Sequence, residues 1–343
     1  MDARSRRTVR SIGALAVMSL SVDAAVAQTA TARIVSAANA FLSTLDQKQR
    51  GRVVFAFNDE EQRRRWSNLP TAMVHRAGFG MGDLSAAQRS AALALVSSAL
   101  SARGFEKVQQ IMEADEVLKT SEGNNPIFGK DLYYLSILGT PSETDPWMLQ
   151  FGGHHLALNI TIAGERGILT PSLIGAQPAL YTANGKTVRP LGRESDKAFA
   201  LLNALDEAQR RQAILNYRVA DLVLGPGQDG KTIQPEGLKA SAMNEQQLAM
   251  LLDLISEWTG IVHESAAAAR MAEIKAGLGE TWFAWSGPTT VSAGRNGTSY
   301  YRIQGPNLVI EYAPQRLGGD PSMHVHTIYR DPTNDYGRKL TAR

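Results

Sequence analysis

Four short helix starts, arranged in two pairs, constrain this chain more than any other feature. They are "LDQKQR" from Leu45, "LSAAQR" from Leu84, "LDEAQR" from Leu205 and "MNEQQL" from Met243. Each sets Asp, Ser or Asn behind an apolar residue and Gln three positions later. That is capping-box spacing: the short side chain takes a free amide of the first turn and the Gln reaches back. Asp46 and Ser85 are 39 residues apart and Asp206 and Asn244 are 38 apart, so the pairs repeat at an offset of about 160.

The same offset lays "RAGFGMGDLSAAQ" over "PEGLKASAMNEQQ". Apolar residues at helical spacing follow in "SAALALVSSALSARG" and "LAMLLDLISEWTG", then in "FEKVQQIMEADEVLK" and "ESAAAARMAEIKAGLG". Both halves then change to strand patterns, "DLYYLSILG" against "TWFAWSG" and "WMLQFGGHHLALNITI" against "YYRIQGPNLVIEYA". The expected fold is α+β, two pseudo-symmetric α-then-β repeats packed as one body, with residues 28–195 and 196–343 as the repeats. The alternative is that similar helix starts recur without duplication.

The first 27 residues read as a secretory leader. An Arg-rich start precedes an apolar run from Ile12 to Val22, and Ala25 and Ala27 form an A-x-A cleavage pattern. The run is too short to span a bilayer, so the expected product is exported to the periplasm or beyond, with no membrane span. Arg6 and Arg7 form only a partial twin-arginine signal, leaving the export route open. Cleavage after Ala27 removes a net charge of +2 from the formal +3. The remainder carries no basic run that could track phosphates, which argues against nucleic acid as a partner. With no cysteine in the chain, disulfides, Cys-zinc sites and thiol nucleophiles are excluded.

Familiar catalytic motifs are missing or broken. "GPGQDGKT", Gly225–Thr232, fits the phosphate-loop pattern, but Pro235 follows and the next helix start is Asn244, so no helix opens at the Lys and Thr to cradle an anion. His263 is followed by Glu264, but Ala267 stands where a zinc-protease motif needs its second His. His75 and His263 therefore read as surface or capping residues.

Four of the six histidines remain. In "MHVHTIYRD", His324 and His326 are two apart in a β-branched run, so both project from one strand face and could share a metal. In "GGHHLALNIT", strand alternation puts His155 and Asn159 on one face and His154 opposite, and Gly152 and Gly153 permit close backbone approach. His155 is the expected third ligand, with His154 beside it or as an alternate. Three histidines with an open position suit a divalent metal ion, Zn first, with Cu or Fe also served by imidazole. Paired core histidines are the structural alternative. Arg330, on the same strand face, could orient an anionic or carbonyl substrate with Asp331 holding the arginine or a histidine, or Arg330 and Asp331 could close the C-terminal turn as an ion pair. Asn307 stands where the second half would repeat His155.

Taken together, "GGHHLALN", "MHVHTIYRDPTNDYG", "WSNLP", "RAGFGMGDLSAAQ" and "YYRIQGPNLVIEY" resemble the domain of unknown function 3500 family over nearly the whole chain beyond the leader. The resemblance implies a mostly exported family with no settled activity, whose shared pattern is rich in these histidines, the arginine and aromatic strand residues. Tyr329 stands where Trp is often seen in relatives, and an extra C-terminal His that many of them carry is missing.

The expected activity is metal-dependent hydrolysis of a small molecule, glycan or peptide, with Asn159, Trp147 and Tyr301 as substrate contacts. Oxidative chemistry at copper or iron is the second expectation. Non-catalytic binding by aromatic strand residues (Tyr133, Tyr134 and Tyr300 besides Trp147 and Tyr301) is the third. If the leader is cleaved, intact-mass analysis of secreted protein finds a chain starting at or near Gln28; recovery of the chain from cytoplasm with Met1 retained removes the compartment assignment.

Overall fold

The computed structural model describes residues 28–317 and 319–341; the leader expected over residues 1–27 lies outside them. All four helix starts form capping boxes, with Asp46, Ser85, Asp206 and Asn244 each accepting from the Gln three residues on and receiving its side chain in return. The capping glutamines do a second job. Gln88 Nε2 reaches Gln49 Oε1 at 3.0 Å and the Thr44 carbonyl at 3.0 Å. In the other half Gln247 Nε2 reaches Gln209 Oε1 at 2.7 Å and the Ala204 carbonyl at 2.8 Å. Each pair of caps thereby ties two helix starts together.

The helices are Ala30–Ser43 (α1), Gln47–Val53 (α2), Glu60–Arg63 (α3), Ala86–Ala99 (α4), Ala102–Ser121 (α5), Gly192–Ala204 (α6), Glu207–Ala213 (α7), Glu245–Thr259 (α8), Glu264–Ala276 (α9) and Arg338–Thr341 (α10). The strands of the first half are Val54–Phe55 (β1), Phe79–Gly80 (β2), Tyr134–Leu138 (β3), Trp147–Gly153 (β4), Leu156–Ala163 (β5), Arg166–Ile168 (β6) and Ser172–Ala176 (β7). A small hairpin, Tyr181–Ala183 (β8) with Lys186–Val188 (β9), precedes Leu238–Lys239 (β10), Trp282–Ser286 (β11), Tyr300–Gly305 (β12), Leu308–Pro314 (β13) and Val325–Arg330 (β14). The boundary expected after residue 195 falls inside α6. Among the described residues no helix is long and apolar enough to cross a membrane.

The fold is mixed α+β around one 12-stranded sheet, in the order β1-β3-β4-β5-β7-β14-β13-β12-β11-β10, with β2 on β3 and β6 on β5. The halves meet at the antiparallel β7–β14 pair, from Ser172 against Tyr329 to Ala176 against Val325. They meet again where Leu100, between α4 and α5, bridges Val262, between α8 and α9.

Alternation gives the sheet two unlike faces. Leu156, Leu158, Ile160 and Ile162 of β5 join the core cluster shared with the helices. Ala157 joins a smaller cluster with Trp66, Leu173, Ile328 and Tyr336 on the other side, where irregular segments cover the sheet. Coil and the end of the short helix α3 bring unpaired backbone groups into the interior, and this face is polar enough to meet them. Glu311 accepts the amides of Val223 and Leu224 at 2.8 and 2.7 Å, and Gln150 donates to the carbonyls of Gln62 and Arg63 at 3.3 and 3.1 Å.

Gln247 is buried and its amide makes contacts on both sides of the α7–α8 junction. Gln247→Ala should cost about 1–3 kcal/mol, the range for losing a cap and leaving its partners unpaired. Urea unfolding with an unchanged slope and a lowered midpoint checks it.

Candidate metal centre

The β4–β5 connection is a tight hairpin. Gly153 pairs with Leu156, leaving His154 and His155 as its two turn residues. This corrects the expectation that both histidines lie on a strand: the turn sets them by its backbone, and His155 takes a left-handed φ of 61°. The glycines before them permit the approach. A Cβ at Gly152 would fall 2.3 Å from the Leu156 carbonyl oxygen, and one at Gly153 would fall 2.7 Å from that of Leu132. On the neighbouring strand β7, Gly175 pairs with His326, and a Cβ there would stand 3.1 Å from the His155 ring. The sheet leaves a side chain out where that imidazole must lie.

His155, His324 and His326 come together. Their Nε2 atoms are 2.9 Å apart for His155–His324, 3.2 Å for His155–His326 and 3.1 Å for His324–His326. Tetrahedral bonds of 2.0–2.1 Å to one ion set ligand nitrogens about 3.3 Å apart, so slight expansion admits a metal. All three residues are buried, at 2%, 5% and 5% exposure. This group could hold a metal ion.

The neighbours of the imidazoles bear on where their protons sit. His324 Nδ1 lies 2.8 Å from the Leu317 carbonyl, which can only accept, so the proton sits on Nδ1 and Nε2 presents a bare lone pair. His326 Nδ1 faces the Asp221 carboxylate at 3.5 Å, which favours the same tautomer. With the His326 proton on Nδ1 as well, the His324–His326 contact at 3.1 Å sets lone pair against lone pair unless a cation lies between them. At His155 and His324 a proton does not serve at neutral pH. Burial, then the neighbouring imidazoles, hold His155 well below the usual histidine range, and burial with His326 lowers His324 to about 4. Neutral imidazoles are the form that binds metal.

His154 stands outside the triangle. Its Nδ1 is 2.6 Å from Asp115 Oδ1, while Asp115 Oδ2 accepts the Gly129 amide at 2.8 Å. The His154 ring packs between Phe128 and His155, with centroids at 5.1 and 3.7 Å. It therefore backs His155 instead of joining the three.

The other expected site residues have different neighbours. Arg330 does lie on the strand face of His326, but its guanidinium is committed to Asp335 at 2.9 Å, Asp229 at 2.7 Å and the Leu224 carbonyl at 3.1 Å. Asp331 pairs with Arg270 at 3.1 Å rather than with Arg330 or a histidine. Asn159 donates to the Pro171 carbonyl at 2.8 Å and accepts from Gln150 at 2.9 Å. Trp147 and Tyr301 are buried in the helix-side core, with their polar atoms on the carbonyls of Ser142 and Glu194, which leaves no surface to present to a ligand. No helix starts at Gly225–Thr232; Asp229 from that stretch instead accepts from Arg330 and Tyr336.

Three residues around the site were not anticipated. Asp115 carried a signal, since it interrupts the apolar stripe of Ile111, Met112 and Leu118 in α5. Gly175 stood inside a strand pattern, where a missing side chain often marks close approach. Asp221 lies in coil without periodicity and had none.

A family model described as "Protein of unknown function (DUF3500)" matches residues 27–338. The chain belongs to the DUF3500 family. No curated protein and no solved structure matches it. DUF3500 membership covers both histidine segments but brings no activity with it, so the chemistry must be argued from the site.

His326→Ala should abolish stoichiometric metal retention, because two ligands remain. His154→Ala should keep the metal while weakening its affinity about 10- to 100-fold, the usual range for a residue behind a ligand. Metal analysis of dialysed protein and competition with a chelator separate the two; equal loss from both would make His154 a ligand.

Proposed function

We propose that this protein is an exported metal-dependent hydrolase in which His155, His324 and His326 hold one divalent ion, zinc in the first place. The observation that carries the reading is the convergence of three Nε2 lone pairs at 2.9–3.2 Å. Three nitrogen ligands leave a coordination position free, the arrangement of catalytic rather than structural zinc. A zinc ion held there would supply a water acidified to about neutral pH and a Lewis acid for a carbonyl or phosphoryl oxygen. The chain's own part is to fix the imidazole tautomers through Leu317 and Asp221, to brace His155 with His154 and Asp115, and to keep bulk water away by burial. Arg330 and Asp331 are assigned to holding the C-terminal turn against the sheet, since both are spent on ion pairs. The leader at residues 1–27 supports export, and a small molecule, glycan or peptide is the class of substrate.

We also infer that the halves are repeats of one ancestral unit. The reading is supported by matching strand order on either side of β7–β14, by the paired capping boxes, and by equivalent two-residue turns, His154-His155 between Gly153 and Leu156 and Pro306-Asn307 between Gly305 and Leu308.

Untagged protein recovered from the exported fraction tests the function. One zinc per chain, with hydrolysis of a p-nitrophenyl ester that a chelator removes and zinc restores, is the expected result. Stoichiometric copper or iron would replace hydrolysis with oxidative chemistry, and protein free of metal would leave a non-catalytic binding role.

A further inference from the structure

A cavity of about 590 Å³ lies against a segment that contacts His324. Part of its wall is Pro314–Leu317, the run that carries His324: the Gln315 amide donates to the His324 carbonyl at 2.7 Å, and the Leu317 carbonyl takes His324 Nδ1. The opposite wall is coil from Leu215 to Ala220, and Tyr217, Tyr300 and Pro288 add aromatic and apolar surface to a lining that also includes Asn216, Thr298 and Gln315. Its size suits a small organic molecule.

The charges around it are one-sided. Among the described residues, the charged side chains on its wall are Arg218 and Arg316, and neither makes an ion pair or hydrogen bond. Nearby acids are already engaged. Asp221 accepts from Gln315 Nε2 at 2.7 Å, Glu236 is held by Tyr217 and Arg302 at 2.6 and 2.9 Å, and Glu311 by Tyr300 and two backbone amides. Two free guanidinium groups beside an aromatic wall, with every neighbouring carboxylate occupied, form a recognition site for an oxyanion on an organic body.

We propose that this cavity binds a small organic anion and that Arg218 and Arg316 hold its acidic group. The cavity meets the histidine cluster through Gln315 and Leu317, on the Nδ1 side of His324, so anion binding here is independent of a metal held by the Nε2 atoms. Free carboxylates and phosphate monoesters share this chemistry.

Calorimetric titration with benzoate, phenyl phosphate and uncharged benzyl alcohol tests the proposal, with metal content measured on the same samples. Saturable binding of one or both anions is expected, with benzyl alcohol at least about tenfold weaker, and the preferred anion identifies the acid. The double variant Arg218→Ala, Arg316→Ala should bind the anion about tenfold or more weakly with unchanged metal content and unfolding midpoint. Chelator-treated wild type should still bind it, so a failed metal assignment leaves this result standing on its own. Absence of anion binding, equal binding of benzyl alcohol, or binding that survives loss of both arginines overturns the proposal. So does binding that disappears with the metal but persists in the arginine variant, which would place the anion on the metal itself.

Discussion

One face of the sheet is covered mostly by coil and short helical turns such as α3, and most of the polar architecture follows from that constraint. Coil carries amides and carbonyls into the interior unpaired, and each left so costs about 1–3 kcal/mol. The strands supply the partners: Glu311 for two amides, Gln150 for two carbonyls, Arg330 for the Leu224 carbonyl, and Thr161 for that of Tyr336. Arg76 does the same from within the coil, donating to the carbonyls of Ser67, Leu69 and Gly153. Polar residues at strand positions are therefore expected across this face for structural reasons, and their burial alone says nothing about catalysis.

The histidine cluster breaks that pattern. Its Nε2 atoms face one another and no backbone group. It also lies where the halves join, since His326 of β14 sits opposite Gly175 of β7 and the β4–β5 turn reaches across to both. The corresponding turn of the second half is treated differently. There the Asn307 carbonyl accepts from Arg270, whose guanidinium also reaches Tyr329 and Asp331. One turn is closed by an arginine fully committed to partners; the other holds three nitrogens with none but each other.

The sequence made some of this legible and hid the rest for identifiable reasons. Capping boxes are local, so all four were readable from Asp46, Ser85, Asp206 and Asn244, as was the α+β class that follows from them. The pair His324 and His326 was readable because strand alternation is a rule of period two. His155 was selected by the same rule, applied to a segment that is in fact a turn, so the residue came out while its geometry did not. Arg330 was placed on the correct face, but Asp229, which claims it, lies about a hundred residues away in a stretch resembling a phosphate loop, and no local pattern joins the two. Trp147 and Tyr301 illustrate the opposite limit: aromatic residues in strands serve cores and binding surfaces alike, and only packing distinguishes them.

The spacing of the three imidazoles along the chain has a topological consequence. His155 and His324 are 169 positions apart, and the chain between them includes the end of the first half and nearly all of the second. An ion coordinated by both would close that length into a ring. In a chain without cysteine, it would be the long-range clasp that a disulfide provides elsewhere. Unlike a disulfide, such a clasp opens and closes with the supply of free metal, so the cohesion of the two halves would follow the chemistry of the surrounding fluid.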